Sequence, residues 1–202
     1  MEAKMKSKNT FNKQAEKYDT SDYSKYPREC YPFVLNAINN IPFNKVLDLG
    51  CGTGVILKEI SSINSDVELF GLDLSENMIA KATQRLGTTA NLSVGDAENL
   101  PYADNTFDLV CCVESFHHYP NPKKALSEIN RVLKNGGLFL LCDTWTRSPI
   151  RQILNFFIRF SSDGDVHIYS ENEISKLLKV TRFEMVSWNL ITNHAYLSIS
   201  KK

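Results

Sequence analysis

The sequence predicts an α/β fold in which a doubly wound, mostly parallel sheet is covered by helices on both faces. Apolar segments of strand length alternate with segments whose apolar residues recur at helical spacing, which is typical of consecutive βα units. In addition, the apolar segment Val46–Leu49 is followed by glycines at alternate positions, Gly50, Gly52 and Gly54, and then by an apolar helical pattern. A buried strand, a tight turn and a helix N-terminus in this order indicate a nucleotide-binding turn.

The remaining elements follow in order along the chain. Ser75 is placed to cap the helix after the second strand, and Ser170 with Glu173 forms a capping box for a late helix. Pro32 opens a helix near the N-terminus, and the helix from Pro122 is expected to stop at 134–137. The predicted parallel strands begin at Val46, Val67, Leu92, Phe107 and Leu138, and 183–191 with 195–200 alternate as a closing antiparallel hairpin.

The glycine spacing and one acidic residue narrow the kinds of ligand that this turn can bind. A dinucleotide fingerprint requires its third glycine at position 55, but the sequence has Val55 there, and the chain contains no phosphate-loop motif. Asp48 comes directly before the turn, where a carboxylate is unfavourable beside a pyrophosphate and favourable beside a cation such as the ammonium of a methionine moiety. Another kind of nucleotide-binding α/β protein remains an alternative at this point.

Several motifs together resemble the class I S-adenosylmethionine (SAM)-dependent methyltransferases. They are the Asp48 turn, Asp73 at the end of the second strand, Asp96 after the third, and the segment 131–137 before the fifth. These matches run in the right order from Val46 to Asp143 and are most similar to the branch with the ubiquinone and menaquinone biosynthesis methyltransferases. The resemblance implies a Rossmann-like sheet of seven strands with a C-terminal antiparallel hairpin, and SAM as cofactor with S-adenosylhomocysteine as product.

The resemblance also implies the residues of the cofactor site. Asp73 would accept the ribose hydroxyls, with helix capping as the alternative role, and Asp96 would accept the adenine amino group. Glu98 is expected to be solvated, and Glu114 to line the methionine end. No metal is expected. The cofactor-binding residues expected in this way are Tyr18, Asp48, Gly50, Cys51, Gly52, Gly54, Asp73, Leu74, Met78, Asp96, Ala97 and Glu114.

The histidine pair His117 and His118 follows the fourth strand and supplies the candidates for catalysis. A sulfonium methyl is already activated, so orientation and the exclusion of water supply most of the rate. A base is needed only if the acceptor retains its proton, and histidine titrates in the right range to remove it. The alternative is that the histidines bind backbone or pack over the cofactor.

Three segments are expected to cover the acceptor: the N-terminal segment around Tyr18–Tyr26, the loop His117–Tyr119 and the segment Arg147–Tyr169. The N-terminal segment 11–19 resembles one that folds over the cofactor, so Tyr18, Tyr23 and Tyr26 are either lid residues or aromatic packing residues of a helix. The apolar helix Pro149–Phe160 is interpreted as a core helix, a dimer contact or a wall of an apolar acceptor pocket, to which His167 would add a polar contact. The lysines of the N-terminal arm are expected to be solvated.

Composition limits the classes of function. The 202 residues have no net charge and no basic stripe, which disfavours nucleic acid as a partner. Five cysteines lack zinc-site spacing and suit a reducing, cytoplasmic compartment, and no span-length apolar run or signal sequence is present. We expect one domain over 1–202, divided into N-terminal helices and lid (1–44), cofactor core (45–145), acceptor-side insertion (146–182) and hairpin (183–202).

The sequence thus predicts a SAM-dependent methyltransferase that acts on a small organic molecule, as a monomer or homodimer. Two alternatives stay open. A SAM-binding module without transferase activity would carry the same binding motifs. A nicotinamide-dependent oxidoreductase is disfavoured by the missing third glycine at Val55.

Overall fold

The computed structural model describes residues 2–158, 160–161 and 164–202. Seven strands form one sheet in the order β3-β2-β1-β4-β5-β7-β6. The strands are β1 (Lys45–Leu49), β2 (Glu68–Asp73), β3 (Ala90–Val94), β4 (Phe107–Val113), β5 (Leu133–Thr144), β6 (Glu184–Leu190) and β7 (Ala195–Lys201). The first five pair in parallel, and β7 pairs antiparallel with both β5 and β6. The predicted fold class is therefore confirmed, including the closing hairpin.

Helices connect the strands and cover the sheet. They are α1 (Glu2–Gln14), α2 (Lys25–Asn39), α3 (Val55–Ile63), α4 (Glu76–Leu86), α5 (Pro122–Val132), α6 (Ile150–Ile158) and α7 (Glu171–Val180), with short 3-10 turns at Ala15–Thr20, Asp22–Ser24 and Phe116–His118. Ser75 caps α4 through the Met78 amide, and Ser170 with Glu173 forms the predicted capping box of α7. These caps satisfy amides that a helix N-terminus leaves without partners.

Two apolar clusters, one on each face of the sheet, form the core. Cys111 and Cys112 are adjacent in β4 and fully buried, and they belong to different clusters, as the alternation of a strand requires. Most residues of β1 and β4 are buried, which reflects the central position of these strands between helical layers. This arrangement leaves the carboxyl ends of the parallel strands as the open edge.

Two predicted boundaries are wrong. Helix α2 begins at Lys25, so Pro32 lies inside it rather than at its start, and Phe33 is 44% exposed instead of packed. Strand β5 begins at Leu133, five residues before the predicted start, because the chain leaves α5 directly in an extended conformation. Gly136 belongs to the segment 134–137, where the helix was expected to stop. It lies within β5 and has a φ of 80°, a backbone conformation that favours glycine.

Helix α6 is the largest departure from expectation. It contains no buried residue, so the interpretation as a core helix is wrong. Its predicted last residues, 159 and 160, fall at the edge of the described chain, since Arg159 lies outside the described residues. Among the described residues, no helix has the length and apolar character needed to cross a membrane.

Candidate cofactor site

A cavity lies at the carboxyl ends of β1 to β4, where consecutive loops diverge. Asp96, Asp73, Asp48 and Glu114 follow or end strands β3, β2, β1 and β4, which are neighbours in that order in the sheet. Neighbouring strands lie about 4.8 Å apart, so four of them carry polar groups along about 14 Å. The cavity therefore offers one long row of carboxylates rather than a single point of contact.

The turn after β1 lets the backbone form one wall of the cavity. Gly50 has a φ of 76°, and a Cβ built on it would lie only 2.6 Å from the Cβ of Ser115. The amides of Gly50 and Cys51 both donate to the carbonyl of Leu72, which fixes the turn to β2. Glycine is thus required here both for its left-handed backbone and for the close approach of the β4 loop.

Asp48 is a buried carboxyl without a cationic partner in the described chain. It is only 2% exposed, and the thiol of Cys111 contacts its Oδ1 at 3.7 Å. Burial, together with the nearby charge of Asp73, raises the pKa of Asp48 to about 7. A bound cation would offset this desolvation, because an opposite charge favours the ionised carboxylate.

Asp73 holds the glycine turn and the start of α4 at the same time. Its Oδ2 accepts the amide of Gly52 at 2.9 Å, and its Oδ1 accepts the amide of Ser75 at 2.8 Å. Burial raises its pKa, and these amide contacts oppose that rise. Each carboxylate oxygen retains a further lone pair, so the capping role and a ribose-binding role are compatible.

Glu114 closes the row at the end of β4. It has a φ of 49°, an uncommon conformation for a residue with a Cβ, and this conformation persists only where the surroundings enforce it. The thiol of Cys30 donates to its Oε1 at 3.7 Å. Burial and the charge of Asp143 raise the pKa of Glu114 well above its usual value.

The N-terminal arm, which we define as residues 2–24, roofs the cavity. Ser7, Phe11 and Tyr18 line it, and the ammonium of Lys4 contacts Asp96 at 2.7 Å and Glu98 at 2.8 Å. Glu98 is only 8% exposed, so its predicted solvation is wrong. Its burial is explained by Lys4 and by the amide of Asn121, which donates to Glu98 Oε1 at 2.9 Å.

Helix α4 holds this arm in place. Asn12 Oδ1 accepts from the Ser75 hydroxyl at 2.6 Å and from the Asn77 amide at 3.1 Å. Ion pairs join Lys8 to Glu76, Glu16 to Lys81 and Asp19 to Arg85. Lys4 and Lys8 are therefore paired, and the prediction of a solvated lysine arm is wrong for both of them.

The two histidines lie in different environments. Burial lowers the pKa of His117, but Asp143, whose Oδ1 lies 2.5 Å from Nδ1, outweighs this and raises it overall. His118 lines the cavity, and burial together with the charge of His117 lowers its pKa well below the usual value. The rings lie 4.1 Å apart, so a charged His117 favours a neutral His118.

Most of the predicted site residues meet at the cavity, and two do not. Gly54 lies behind it, where an added Cβ would contact Leu86 and Ala82, and His117 points to Asp143. Those that line the cavity are Tyr18, Asp48, Gly50, Cys51, Gly52, Asp73, Leu74, Met78, Asp96, Ala97, Glu114 and His118.

The predicted cover of the cavity is only partly correct. Tyr23 and Tyr26 are more than half exposed and do not line it, and among the described residues of 147–169 none does. His167 instead contacts Glu173 at 3.0 Å. Conversely, the sequence analysis did not single out Lys4, Ser7 and Tyr31, which line it.

Comparison with known proteins agrees with this geometry. The family model described as methyltransferase domain matches residues 47–141. A demethylmenaquinone methyltransferase of Staphylococcus epidermidis is 34% identical over 63% of this chain and 55% of its own length. One from Thermotoga maritima is 30% identical over 76% of this chain and 71% of its own. The chain thus spans little more than half the length of the Staphylococcus relative.

A solved SAM-dependent methyltransferase of Thermotoga maritima has the same fold. It superposes with a TM-score of 0.72 at 21% identity and covers 96% of this chain and 99% of its own. At this identity the likeness concerns the fold, and the family assignment rests on the sequence matches. The range matched by the family model runs from β1 into β5 and includes β1 to β4, whose carboxyl ends form the cavity. The chain belongs to the methyltransferase domain family.

Proposed function

We propose that this protein transfers a methyl group from SAM to a small organic acceptor. The observation that carries the proposal is the charge of the cavity. Five carboxylates line it, from Asp48, Asp73, Asp96, Glu98 and Glu114, whereas Lys4 is the one lysine or arginine among its described lining residues. Such a site repels a pyrophosphate and suits a ligand with a sulfonium and an ammonium group.

The order of the strands supports an orientation of the cofactor. Asp96 lies at the β3 end of the row, where Lys4 and Met78 complete a site for adenine. Asp73 on β2 is placed for the ribose. Asp48 and Glu114, on β1 and β4, are placed for the ammonium of the methionine moiety. These residues fit the cofactor because buried carboxyls with raised pKa values lack a cation that the ligand carries.

When bound, SAM supplies a methyl group on positively charged sulfur. The chain's part is then to orient that methyl, to exclude water beneath the N-terminal arm and to accept a proton where the acceptor releases one. His118 is our candidate for this last role. Its lowered pKa keeps the ring neutral near pH 7, and its Nδ1 lies 3.1 Å from Oδ1 of Asp165.

Binding and turnover test this proposal separately. We expect calorimetry to show binding of SAM and S-adenosylhomocysteine but not of NAD. Asp73→Ala should weaken binding about ten- to a hundredfold, the equivalent of roughly 1.5–3 kcal/mol for hydrogen bonds to a charged group. Tight binding of NAD without a response to SAM would overturn the proposal.

Transfer itself is measured with methyl-labelled SAM and a panel of quinols, phenols, thiols and amines. The curated relatives named as demethylmenaquinone methyltransferases make a quinol the first acceptor to test. His118→Asn should lower kcat more than KM and remove the acidic limb of the pH profile, whereas His167→Asn is the matched control outside the cavity. Binding of SAM without transfer to any acceptor would favour a binding module instead.

A further inference from the structure

Helix α6 presents its large apolar side chains to solvent. Ile153 is 55% exposed, Phe157 59%, and Phe160, just beyond the helix, 71%. Ile150, Leu154 and Phe156 are each more than 40% exposed as well. Scattered exposed apolar residues are normal, but six within eleven positions form a patch of the kind that marks an interaction surface.

The orientation of α6 is fixed by polar contacts on its inner side. Asn155 Nδ2 donates to the carbonyl of Ile168 at 2.9 Å, and the amide of Ile168 donates to Asn155 Oδ1 at 2.8 Å. The carbonyl of Thr146 accepts from Arg151 Nη1 at 3.2 Å. A helix that is held through Asn155 and Arg151, with its apolar residues outward, is built to present those residues to something outside the chain.

The charge of this segment indicates what that partner is. From Thr144 to Ser161 the sequence contains Arg147, Arg151 and Arg159 and no acidic residue, although the whole chain has no net charge. Arg147 is exposed directly before the helix. Apolar side chains flanked by arginines are the pattern of helices that lie in the interface of a membrane with anionic lipids.

We propose that the apolar face of α6 docks on the surface of a bilayer containing anionic phospholipids. Ile153, Leu154 and Phe157 would enter the boundary between headgroups and acyl chains, and Arg147 would lie among the phosphates. A second copy of this chain is the less suitable partner. A twofold contact through α6 would bring two arginine-rich, acid-free segments together without opposing charges.

The docking surface adjoins the candidate cofactor site. The amide of Val166 donates to the carbonyl of His117 at 2.8 Å, two residues before the Ile168 contacts that hold α6. Docking therefore places the histidine loop near the bilayer. The proposal goes beyond the proposed methyl transfer and does not depend on it, because it concerns binding to lipid alone.

Sedimentation with vesicles tests the proposal without any assay of activity. We expect the protein to bind vesicles that contain phosphatidylglycerol, to bind pure phosphatidylcholine weakly, and to be released by salt. Ile153→Ser/Phe157→Ser should weaken binding about tenfold or more, since two apolar side chains no longer enter the interface. Arg147→Gln should weaken it about fivefold.

The matched control is Val180→Ser/Val186→Ser, which alters two valines that are 63% and 61% exposed elsewhere on the surface. It should bind vesicles as the unaltered chain does, and circular dichroism should show all variants folded. Failure of the unaltered chain to bind, or equal binding by the α6 variant, overturns the proposal. A solution dimer that the α6 substitutions dissociate, without vesicle binding, overturns it in favour of a second copy.

Discussion

At the scale of single residues, Asp48 combines deep burial with a charge that nothing in the described chain neutralises. Its pKa of about 7 lies well above the value of an unfolded aspartate. The folded protein therefore binds more protons than the unfolded chain between about pH 4 and pH 7, and the stability contributed by this carboxyl falls as the pH rises through that window. Ionisation of the buried Asp48 lowers the stability of the ligand-free protein, and a cationic ligand beside this carboxylate would offset that loss.

Proton release on binding follows from this. An ammonium group beside Asp48 lowers its pKa, so S-adenosylhomocysteine should displace up to about half a proton per site at pH 7. Calorimetry in buffers of different ionisation enthalpy measures this number. Asp48→Asn should lower the number of protons released by this amount, while Glu114, whose pKa is also raised, still contributes; Asp108→Asn, a carboxylate already paired with Lys134, serves as control. The same release from the Asp48 variant would contradict the assignment.

Arg182 has a strained backbone. Directly before Phe183 it occupies the left-handed conformation with a φ of 64°, although it carries a Cβ. Arg182→Gly should raise the free energy of unfolding by about 0.5–1 kcal/mol, because glycine adopts this conformation without a steric penalty. Urea denaturation measures the change, and Arg182→Ala, which retains the Cβ, should give no such gain.

Site residues could be predicted from the sequence where the elements that position them are consecutive in the chain. Asp48, Gly50 and Gly52 are recognisable because strand, turn and helix follow one another directly. Lys4 and Glu98 were misjudged because their pairing joins residues 94 positions apart, and a sequence read in short windows assigns charged residues to solvent.

At the scale of elements, the N-terminal arm is held to α4 mainly by polar contacts. Exposed ion pairs contribute little each, about 0.2–1 kcal/mol, whereas Asn12 joins several partners at once, including Ser75 and Asn77. An element attached in this way can open for ligand exchange while the sheet stays folded. The arm is thus suited to act as a lid over the cavity.

Asn12→Ala should loosen the arm selectively. We expect faster hydrogen exchange and proteolysis within residues 2–24, and faster dissociation of S-adenosylhomocysteine, with little change in the global unfolding transition. Lys13→Ala changes an exposed neighbouring position and is the matched control. If both variants behave alike, Asn12 does not hold the arm.

The elements also show why two predictions were wrong. Proline favours the first turn of a helix, but in α2 it is Pro27 that occupies this turn, and Pro32 lies farther along. The apolar composition of α6 indicated burial, whereas burial depends on what packs against a helix. In this fold α6 follows β5 and packs none of its side chains into the core. The sequence contains no local signal of that placement.

At the scale of the whole molecule, ligand binding should stabilise the fold. Occupying the cavity with S-adenosylhomocysteine at a hundred times its Kd adds about 2.7 kcal/mol, which raises Tm by roughly 5–10 °C for a chain of this size. Differential scanning fluorimetry measures the shift. NAD at the same concentration should produce none, and a shift with NAD alone would contradict the charge argument for the cavity.

The overall topology was predictable because it rests on periodicity and on handed βαβ connections. The hairpin β6–β7 is clear from alternation alone, and β1 to β4 are identified by apolar runs that end near acids. The position of the arm could not be obtained in this way. It depends on many weak polar contacts between α1 and α4, none of which leaves a periodic pattern in the sequence.

Because all five cysteines are free and buried, their reactivity reports when the protein opens. Four of the thiols are fully enclosed by the core, and Cys51 is only 7% exposed beneath the arm, at the wall of the cavity. A thiol-alkylating reagent can reach the four only when the core opens, but it reaches Cys51 whenever the arm lifts. Mass spectrometry of the alkylated peptides would thus measure two rates in one sample: the rate at which the N-terminal arm opens and the rate at which the core of the sheet unfolds.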